Sequence, residues 1–237
     1  MAIIISIEGN IGSGKSTLLK QLKTSLPDRM FHKKIIFLQE PVKDWEKIKN
    51  EEGQTIIEKF YSNKRDWSFS FQMMAYISRL KSIKDIIKKH GSNIIILSER
   101  SLWTDKNVFA KMLYDSNDIN TINYQIYNKW FDEFVEEYPL SGIIYVNTLP
   151  SISYDRVTNR CRKGENNISM NYLETCHNYH NNWIIKSKKP QLEIDGNGEN
   201  TIKISNKCLN DIKDFIEKLS CSKVRINYEE CMNKVYC

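Results

Sequence analysis

The sequence predicts an α/β protein with a doubly wound parallel sheet, and three observations support this prediction. A glycine-rich loop at residues 9–17 directly follows the apolar run of residues 3–7. Further apolar runs, at residues 35–38, 94–97 and 143–146, have the continuous pattern of parallel strands that are buried on both faces. Long stretches with helical spacing of apolar residues separate these runs, so helices are expected to connect the strands and cover the sheet.

The helical stretches have recognisable ends. The first follows the glycine-rich loop and ends at Pro27, and the second covers roughly residues 67–89 and is closed by Gly91. A third spans roughly residues 119–137 and has an apolar stripe made of Ile122, Ile126, Trp130, Phe134 and Val135. Core packing is the favoured interpretation of this stripe, and contact with a second copy of the chain is the alternative. The last helix carries Leu209, Ile212, Phe215, Ile216 and Leu219.

Length and charge limit the organisation of the chain. A chain of 237 residues can form one large α/β domain or two small ones, and no segment has the composition of a linker. We assign residues 1–219 to one domain and residues 220–237, which lack a clear apolar period, to a C-terminal tail of unknown role. The net charge of +6 is modest, and anionic small ligands explain it as well as nucleic acid does.

Cysteine usage and hydropathy indicate the compartment. The six cysteines include no C-x-x-C pair, so reduced thiols are the favoured interpretation. The first strand begins at Ile3, which leaves no room for a signal peptide, and no apolar stretch approaches the ~20 residues of a membrane span. We therefore expect a soluble cytoplasmic protein that binds neither nucleic acid nor membranes.

The glycine-rich loop has the G-x-x-x-x-G-K-S spacing of a phosphate-binding loop. Successive backbone N–H groups must point into one concavity around a phosphate, and this geometry requires glycines. Lys15 is expected to reach the outer phosphates, and the Ser16 hydroxyl to ligate Mg²⁺. The predicted ligands are a nucleoside triphosphate and Mg²⁺, and the expected triphosphate-binding residues are Gly9, Asn10, Ile11, Gly12, Ser13, Gly14, Lys15, Ser16 and Thr17.

Two glutamates stand at predicted strand ends, where open α/β sheets bind their ligands. Glu99 ends the predicted strand that begins with the apolar run of residues 94–97, near the phosphate loop, and it is placed to hold Mg²⁺ directly or through water. Glu40 is then free to act as a general base that accepts a proton from an acceptor hydroxyl, while Arg100 holds that group and offsets its charge. A solvated strand end is the alternative for each glutamate taken alone.

A polar face of the second helix indicates a pocket for a base. Gln72, Ala75, Tyr76 and Arg79 share one face of this helix, which follows an aromatic cluster at residues 67–71. A glutamine can pair with the edge of a base, and Phe71 offers a face for stacking. Arg79 needs a carboxylate if it is buried, and Asp105 is a candidate. A solvated stripe is the alternative explanation of this face.

These features together resemble the deoxynucleoside kinases of the deoxycytidine kinase and deoxyguanosine kinase group. The six shared motifs, in order, are Ile7-Glu8-Gly9-Asn10-Ile11-Gly12 with Gly14-Lys15-Ser16-Thr17, Glu40-Pro41-Val42 with Trp45, Trp67-Ser68-Phe69 with Phe71-Gln72, Glu99-Arg100-Ser101 with Asp105, Gly142-Ile143-Ile144-Tyr145, and Arg160-Cys161-Arg162 with Glu165. The resemblance runs from residue 2 to about residue 218. It implies a P-loop kinase fold with a five-stranded parallel sheet, helices on both faces and an arginine-rich lid.

The resemblance also implies roles for individual residues. Glu40 would be the base for the deoxyribose 5′-hydroxyl with Arg100 beside it, and Tyr61 and Glu165 would bind the 3′-hydroxyl. Phe71 and Phe109 would enclose the base, Gln72 would read its edge, and Ile57 and Trp45 would line the pocket. Arg156, Arg160 and Arg162 match a lid whose guanidinium groups stabilise the transferring phosphoryl group.

The combination of Ala75, Arg79 and Asp105 resembles members that accept deoxycytidine and purine deoxynucleosides. An arginine paired with an aspartate can serve an exocyclic amino group, and it crowds the methyl group of thymine. We therefore expect these nucleosides ahead of thymidine. The resemblance further implies a homodimer and feedback inhibition by a deoxynucleoside triphosphate.

The predicted function is an ATP- and Mg²⁺-dependent kinase that phosphorylates the 5′-hydroxyl of a deoxynucleoside in nucleotide salvage. A thymidylate-type nucleoside monophosphate kinase is one alternative, but it needs a basic site for the phosphate of its acceptor, and Glu40 argues against that. A nucleotide-binding switch without an acceptor is the other alternative, and it leaves the pocket around Phe71, Gln72 and Arg79 without a purpose.

Overall fold

The fold is known from a computed structural model that describes residues 1–198 and 204–235. At its centre lies a sheet whose strands are β1 (Ile3–Glu8), β2 (Arg29–Met30), β3 (Lys33–Leu38), β4 (Ile94–Glu99), β5 (Leu140–Asn147) and β6 (Gln191–Asp195). They are arranged in the order β2-β3-β4-β1-β5-β6. Strands β3 to β6 and β1 are parallel, which confirms the predicted parallel sheet, and the two-residue β2 adds a sixth, antiparallel strand at its edge.

The helices are α1 (Lys15–Ser25), α2 (Val42–Trp45), α3 (Ile56–Ser62), α4 (Lys64–His90), α5 (Leu102–Thr104), α6 (Lys111–Asp115), α7 (Thr121–Val135), α8 (Pro150–Arg160), α9 (Met170–Lys186) and α10 (Asn206–Val235). A π-helical turn covers Asp105–Ala110, and a 3₁₀ turn covers Glu165–Asn167. Among the described residues, no helix has both the length and the apolar character that crossing a bilayer demands.

The central strands are apolar on both sides because helices cover both faces of the sheet. Ile3, Ile5 and Ile7 of β1 pack in one core cluster with α1 and α10. Ile4 of the same strand faces the second cluster, which includes residues of α4, α8 and α9. Since alternate side chains of a strand point to opposite faces, a continuous apolar run is what a sheet covered on both sides requires.

The long helix α4 agrees with the predicted boundaries, and it ends at Gly91, whose N–H donates to the carbonyl of Ile87. Its buried face is partly polar and includes Gln72, Ala75 and Arg79, whereas Ile77 is largely exposed. The face expected from Gln72, Ala75 and Arg79 is therefore turned inward, and a solvated stripe is excluded for these three residues.

Core packing was the favoured interpretation of the apolar stripe on α7. It is wrong for three residues of the stripe. Ile122 and Trp130 are 72% and 46% exposed, and Ile126 is also exposed. The residues of this helix that enter the core are Tyr127 and Phe131. Packing geometry decided which side of the helix faces inward, because both sides carry large apolar residues.

The C-terminal helix α10 packs on the sheet through Ile212, Phe215, Ile216 and Leu219. Its backbone continues to Val235, so the predicted boundary at residues 219 and 220 falls inside a helix. Residues 236–237 of the predicted tail lie outside the described residues.

Candidate active site

The phosphate loop connects β1 to α1, and neighbouring backbone approaches it closely. A Cβ atom at Gly9 (φ +142°) would lie 2.5 Å from the carbonyl oxygen of Val146, and one at Gly12 (φ +79°) would lie 2.4 Å from that of Ser153. Side chains other than hydrogen cannot be accommodated at either position. The loop is also tethered by Asn10, whose side-chain amide donates to the carbonyl of Leu173 at 2.8 Å.

Lys15 is buried at the floor of this loop. Its ammonium group donates to the carbonyl of Asn10 at 2.5 Å and lies 3.4 Å from the Ser13 hydroxyl. Burial, reinforced by the nearby Arg100 guanidinium, lowers the pKa of Lys15 to about 7. An anion bound in the loop would reverse this effect, because a neighbouring negative charge favours the protonated ammonium.

Ser16 and Glu99 meet at the mouth of the loop. The Ser16 hydroxyl donates to Oε1 of Glu99 at 2.5 Å, and this contact joins the start of α1 to the end of β4. Both groups are oxygen ligands of the kind that Mg²⁺ prefers, and Mg²⁺ usually takes one or two protein ligands and completes its shell with phosphates and water. The two residues therefore fit a magnesium site, and no group of three or more His, Cys, Asp or Glu ligands is found within the described part of the chain.

Glu40 lies in the cavity wall between two guanidinium groups. Its Oε1 is 3.1 Å from Nη2 of Arg79 and 3.8 Å from Nη1 of Arg100. Burial raises the pKa of Glu40, but Arg100 and Arg79 together more than offset it, so the pKa is lower than that of an ordinary glutamate. Glu40 is consequently ionised at neutral pH and can accept a proton.

Arg100 adopts a left-handed backbone conformation with φ +65°. Its N–H donates to the carbonyl of Ile7, and its guanidinium carbon lies 4.5 Å from the centre of the Phe109 ring. Such a conformation is costly for a residue other than glycine, and it persists where surrounding contacts hold it. The strained backbone directs the guanidinium group toward Glu40 and Phe109.

Arg79 lies behind the cavity wall and is 1% exposed. Its Nε donates to Asp105 at 3.0 Å, its Nη1 donates to the carbonyl of Glu99 at 2.6 Å, and its Nη2 contacts Glu40. The expected pairing with Asp105 is present, and the contact with Glu40 was not anticipated. One guanidinium group thus joins the candidate base to the residues expected to recognise the nucleobase.

Aromatic side chains form the inner pocket. Phe60 stacks on Phe71 with ring centres 4.5 Å apart, and the edge of Trp45 meets Phe71 at 5.6 Å. Phe109 and Asp105 both lie on the π-helical turn, where an extra residue per turn changes which side chains face the pocket. Helical periodicity in the sequence contains no sign of this turn.

The segment after α8 brings a carboxylate and two guanidinium groups together. Glu165 accepts two hydrogen bonds from Arg160, both at 2.7 Å, and a third from Arg162 at 3.2 Å. Tyr61 lines the same cavity as Glu165, and burial together with the Glu165 carboxylate raises the pKa of its hydroxyl. Arg156 contacts the loop itself, because its Nη1 donates to the carbonyl of Ser13 at 3.4 Å.

These groups surround one cavity of about 780 Å³. Most of the predicted site residues line it, namely Ile11, Gly12, Gly14, Lys15, Ser16, Thr17, Glu40, Trp45, Ile57, Tyr61, Phe71, Gln72, Ala75, Glu99, Arg100, Asp105, Phe109, Arg156, Arg160, Arg162 and Glu165. The predicted residues outside this lining are Gly9, Asn10, Ser13 and Arg79, of which Ser13 lines the neighbouring second cavity. The cavity has the size of a small-molecule site.

Comparison with known proteins now decides the family. The sequence model of the deoxynucleoside kinase family matches residues 5–218 of this chain. The chain belongs to the deoxynucleoside kinase family. It is therefore an ATP-dependent phosphotransferase, and its fold is the predicted P-loop kinase fold.

The kinase has similar relatives in viruses and vertebrates. It is 37% identical over 226 residues to a probable deoxycytidine kinase of fowlpox virus (strain NVSL), covering 91% of this chain and 88% of the relative. It is 30% identical over 200 residues to the mitochondrial deoxyguanosine kinase of Xenopus laevis, covering 77% and 73%. It is also 30% identical over 200 residues to the deoxycytidine kinase of Homo sapiens, covering 76% and 75%.

Sequence reasoning missed several residues of the kinase that line the cavity. Phe60 and Tyr172 add to its aromatic lining, and Lys20 and Lys43 also line it. The hydroxyl of Tyr172 is buried and has no hydrogen-bond partner among the described residues. An aromatic residue next to Tyr61 was the available signal for Phe60, whereas nothing in the local pattern around Tyr172 indicates a ligand-facing side chain.

Proposed function

We propose that the kinase transfers the γ-phosphate of ATP to the 5′-hydroxyl of deoxycytidine or a purine deoxynucleoside, ahead of thymidine, as a step of nucleotide salvage. The observation that carries this proposal is the buried chain of Asp105, Arg79 and Glu40 along the cavity wall. It connects a carboxylate at the inner end of the pocket with a carboxylate near the phosphate loop. An acceptor held between them would present its base to one end and its 5′-hydroxyl to the other.

In this proposal Glu40 accepts the proton of the 5′-hydroxyl as the oxygen attacks the phosphoryl group. Its lowered pKa keeps it ionised, and Arg79 and Arg100 fix its orientation. The transition state of phosphoryl transfer carries negative charge on its equatorial oxygens, which positioned cations stabilise. We assign that stabilisation to Lys15, Arg160 and Arg162, and binding of the 3′-hydroxyl to Tyr61 and Glu165.

The donor is proposed to occupy the phosphate loop and a second cavity of about 400 Å³. Gly14, Thr17 and Arg156 line both cavities, so the two meet at the loop. Apolar side chains such as Leu192 and Ile194 make the second cavity suitable for the base of the donor. Ser16 and Glu99 would hold Mg²⁺, which neutralises charge on the donor phosphates when it is bound.

Nucleoside preference is proposed to depend on Gln72 and Asp105, both of which line the inner cavity. The amide of Gln72 can donate to and accept from the edge of a base, and the Asp105 carboxylate can accept from an exocyclic amino group. Thymine lacks this amino group and carries a methyl group instead. Thymidine would therefore leave the Asp105 carboxylate without a hydrogen bond from the base.

One assay tests the proposed function. The purified chain is incubated with ATP, Mg²⁺ and each deoxynucleoside or deoxynucleoside monophosphate, and the products are separated by chromatography. We expect monophosphates from deoxycytidine and purine deoxynucleosides, with a lower kcat/KM for thymidine. Transfer to dTMP but to no nucleoside would favour the monophosphate kinase alternative, and ATP binding without any transfer would favour the switch.

The low pKa of Lys15 predicts that donor binding weakens as the pH rises. The charged ammonium binds phosphate, and its fraction in the free protein falls above the pKa of about 7. The dissociation constant of ATP should therefore rise by up to about ten-fold per pH unit between pH 7 and pH 9. Titration calorimetry in two buffers of different ionisation enthalpy should detect proton uptake at pH 8.

The variant Lys15→Arg provides the control for this titration, because its guanidinium remains charged throughout this range. We expect its ATP affinity to be lower overall but nearly independent of pH. An unchanged dissociation constant between pH 7 and pH 9 in the native protein would contradict the lowered pKa of Lys15.

A homodimer is proposed to form through the exposed face of α4 and α7. Ile77 of α4 and Ile122, Ile126 and Trp130 of α7 are exposed there. The two helices are joined by the Tyr76 hydroxyl, which donates to the carbonyl of Trp130 at 3.0 Å. Exposed apolar clusters of this kind mark protein interfaces.

Trp130→Glu is therefore expected to convert the dimer into a monomer of 28.0 kDa, because it would bury a charge at the contact. Light scattering coupled to gel filtration measures the mass. Ile185→Glu is the matched control, since Ile185 is an exposed apolar residue of α9 and should leave the dimer intact. A native protein that elutes as a monomer would refute the proposed interface.

The predicted cytoplasmic location stays a prediction.

A further inference from the structure

The segment of residues 161–168 links α8 to α9 and carries Arg162 and Glu165 to the cavity wall. Two contacts seat it on the first turn of α3. Nζ of Lys163 lies 3.0 Å from Oε1 of Glu58, although Lys163 itself is 81% exposed. Gly164 (φ +89°) packs directly on Glu58, such that an added Cβ atom would lie 3.2 to 3.3 Å from its backbone and Cγ atoms.

Glu58 is itself part of the start of α3. Its Oε2 accepts from the N–H of Thr55 at 2.8 Å, and its own N–H donates to the Thr55 hydroxyl at 3.2 Å, which together form a capping box. The hydrogen bond from the Thr55 backbone and the ion pair with Lys163 lower the pKa of Glu58 to about 2. One carboxylate thus fixes the end of a helix with one oxygen and binds the neighbouring segment with the other.

The side of α3 next to Glu58 belongs to the nucleoside pocket, because Tyr61 follows Glu58 by three residues and so lies beside it on the helix surface. Ile57 and Tyr61 line the cavity, and Phe60 stacks on Phe71. A nucleoside that orders α3 through these side chains would therefore also order the helix surface that the segment carrying Arg162 and Glu165 contacts. The two binding regions share this short helix of seven residues.

We propose that Glu58, Lys163 and Gly164 are positioning residues, which hold the segment of residues 161–168 on α3 and so couple binding of the nucleoside to binding of the triphosphate donor. This inference rests on the proposed roles of Tyr61 on the acceptor side and of Arg160 and Arg162 on the donor side. None of the three positioning residues is among the residues that line the cavity. Their effect is consequently on the relation between the two ligands rather than on the chemical step.

The coupling is measured as a ratio of two dissociation constants. A non-hydrolysable ATP analogue is titrated by calorimetry with and without a saturating concentration of the deoxynucleoside that the native protein phosphorylates. Because coupling is reciprocal, nucleoside affinity must change by the same factor when the analogue is bound. Intrinsic tryptophan fluorescence, to which Trp45 in the cavity lining contributes, provides that second measurement.

Two variants remove the charges and keep the fold. Glu58→Gln retains a side chain that completes a capping box, and Lys163→Met retains the aliphatic stem. In each we expect the coupling ratio to fall by about two- to five-fold, the range that an exposed ion pair supplies. The double variant should show no further fall, because both single changes remove the same contact. Lys111→Met is the matched control, since it breaks an exposed ion pair with Asp115 on α6, and its ratio should stay at the native value.

Gly164→Ala tests the packing contact separately. Alanine is strained at this positive φ and would press against Glu58, so we expect a fall of the coupling ratio by about ten-fold with a normal unfolding transition. Native turnover is measured first and tests the proposed function alone. A native coupling ratio of one, or an unchanged ratio in Glu58→Gln and Lys163→Met, would overturn the positioning role even where turnover is normal.

Discussion

Replacing Glu40 by glutamine is expected to lower kcat for deoxycytidine by about 100-fold or more, with little change in KM. Removing a general base typically costs 10²- to 10⁴-fold in rate. Glutamine has the same shape, and its carbonyl oxygen can still accept from Arg79 and Arg100, but it cannot take up the proton of the 5′-hydroxyl. Steady-state kinetics with saturating ATP measures the effect.

The geometry of Glu40 explains why the loss should fall on kcat. Its carboxylate is held by Arg79 at 3.1 Å and faces Arg100 at 3.8 Å, so it is oriented before the acceptor arrives. Both cations also keep its pKa low, and the carboxylate stays ionised through the neutral range. A preorganised base contributes when the proton is transferred and adds little to ground-state binding.

Glu46→Gln provides the control, because Glu46 is another glutamate in the cavity lining and has no assigned role in proton transfer. Its kcat should remain within about two-fold of the native value, as expected for a solvated surface carboxylate. If Glu40→Gln kept its turnover within about ten-fold of the native protein, below the loss typical of a missing base, another group would have to accept the proton.

Replacing Arg79 by methionine is expected to reduce both stability and selectivity. The substitution removes three contacts at once, to Asp105, to Glu40 and to the carbonyl of Glu99. Breaking a buried ion pair leaves an uncompensated charge and costs about 3–5 kcal/mol, which corresponds to a melting temperature lower by about 6–20 °C for a chain of this size. Differential scanning calorimetry measures this change.

Catalysis by Arg79→Met should change in two recognisable ways. Without this cation the pKa of Glu40 rises, so the acidic limb of the kcat/KM profile should move to higher pH. Thymidine use should also improve relative to deoxycytidine, because the Asp105 carboxylate loses the partner that orients it. A pH profile and a selectivity ratio that both match the native protein would contradict the link between base recognition and Glu40.

Two further variants separate charge from geometry. Arg79→Lys keeps a positive charge, but its single ammonium cannot replace a guanidinium group that binds two carboxylates, so its activity should be intermediate. Arg79→Met combined with Asp105→Asn removes one stranded carboxylate and should recover part of the lost stability. The recovery would show that the cost arises from the buried charge rather than from lost packing.

Local pattern was sufficient for much of the fold. Four of the five parallel strands were evident as apolar runs, because strands buried on both faces need apolar side chains at every position. Strand β6 was not evident, since it is an edge strand of the sheet and alternates exposed and half-buried residues. The apolar stripe of α7 was assigned to the core although Trp130 is exposed, because periodicity does not show which of two apolar sides of a helix faces inward.

For the site, local spacing in the sequence predicted the phosphate loop and the glutamates at the strand ends, and family motifs predicted most of the residues that line the cavity. These features depend on short spacings or on strand ends, which the linear order of residues preserves. Tertiary structure alone decided that Arg79 binds both Asp105 and Glu40, and that Lys163 and Gly164 seat their segment on Glu58. Such contacts join residues far apart in the chain. A charged group that is buried needs a partner, and the packing of distant elements decides which partner lies within contact distance.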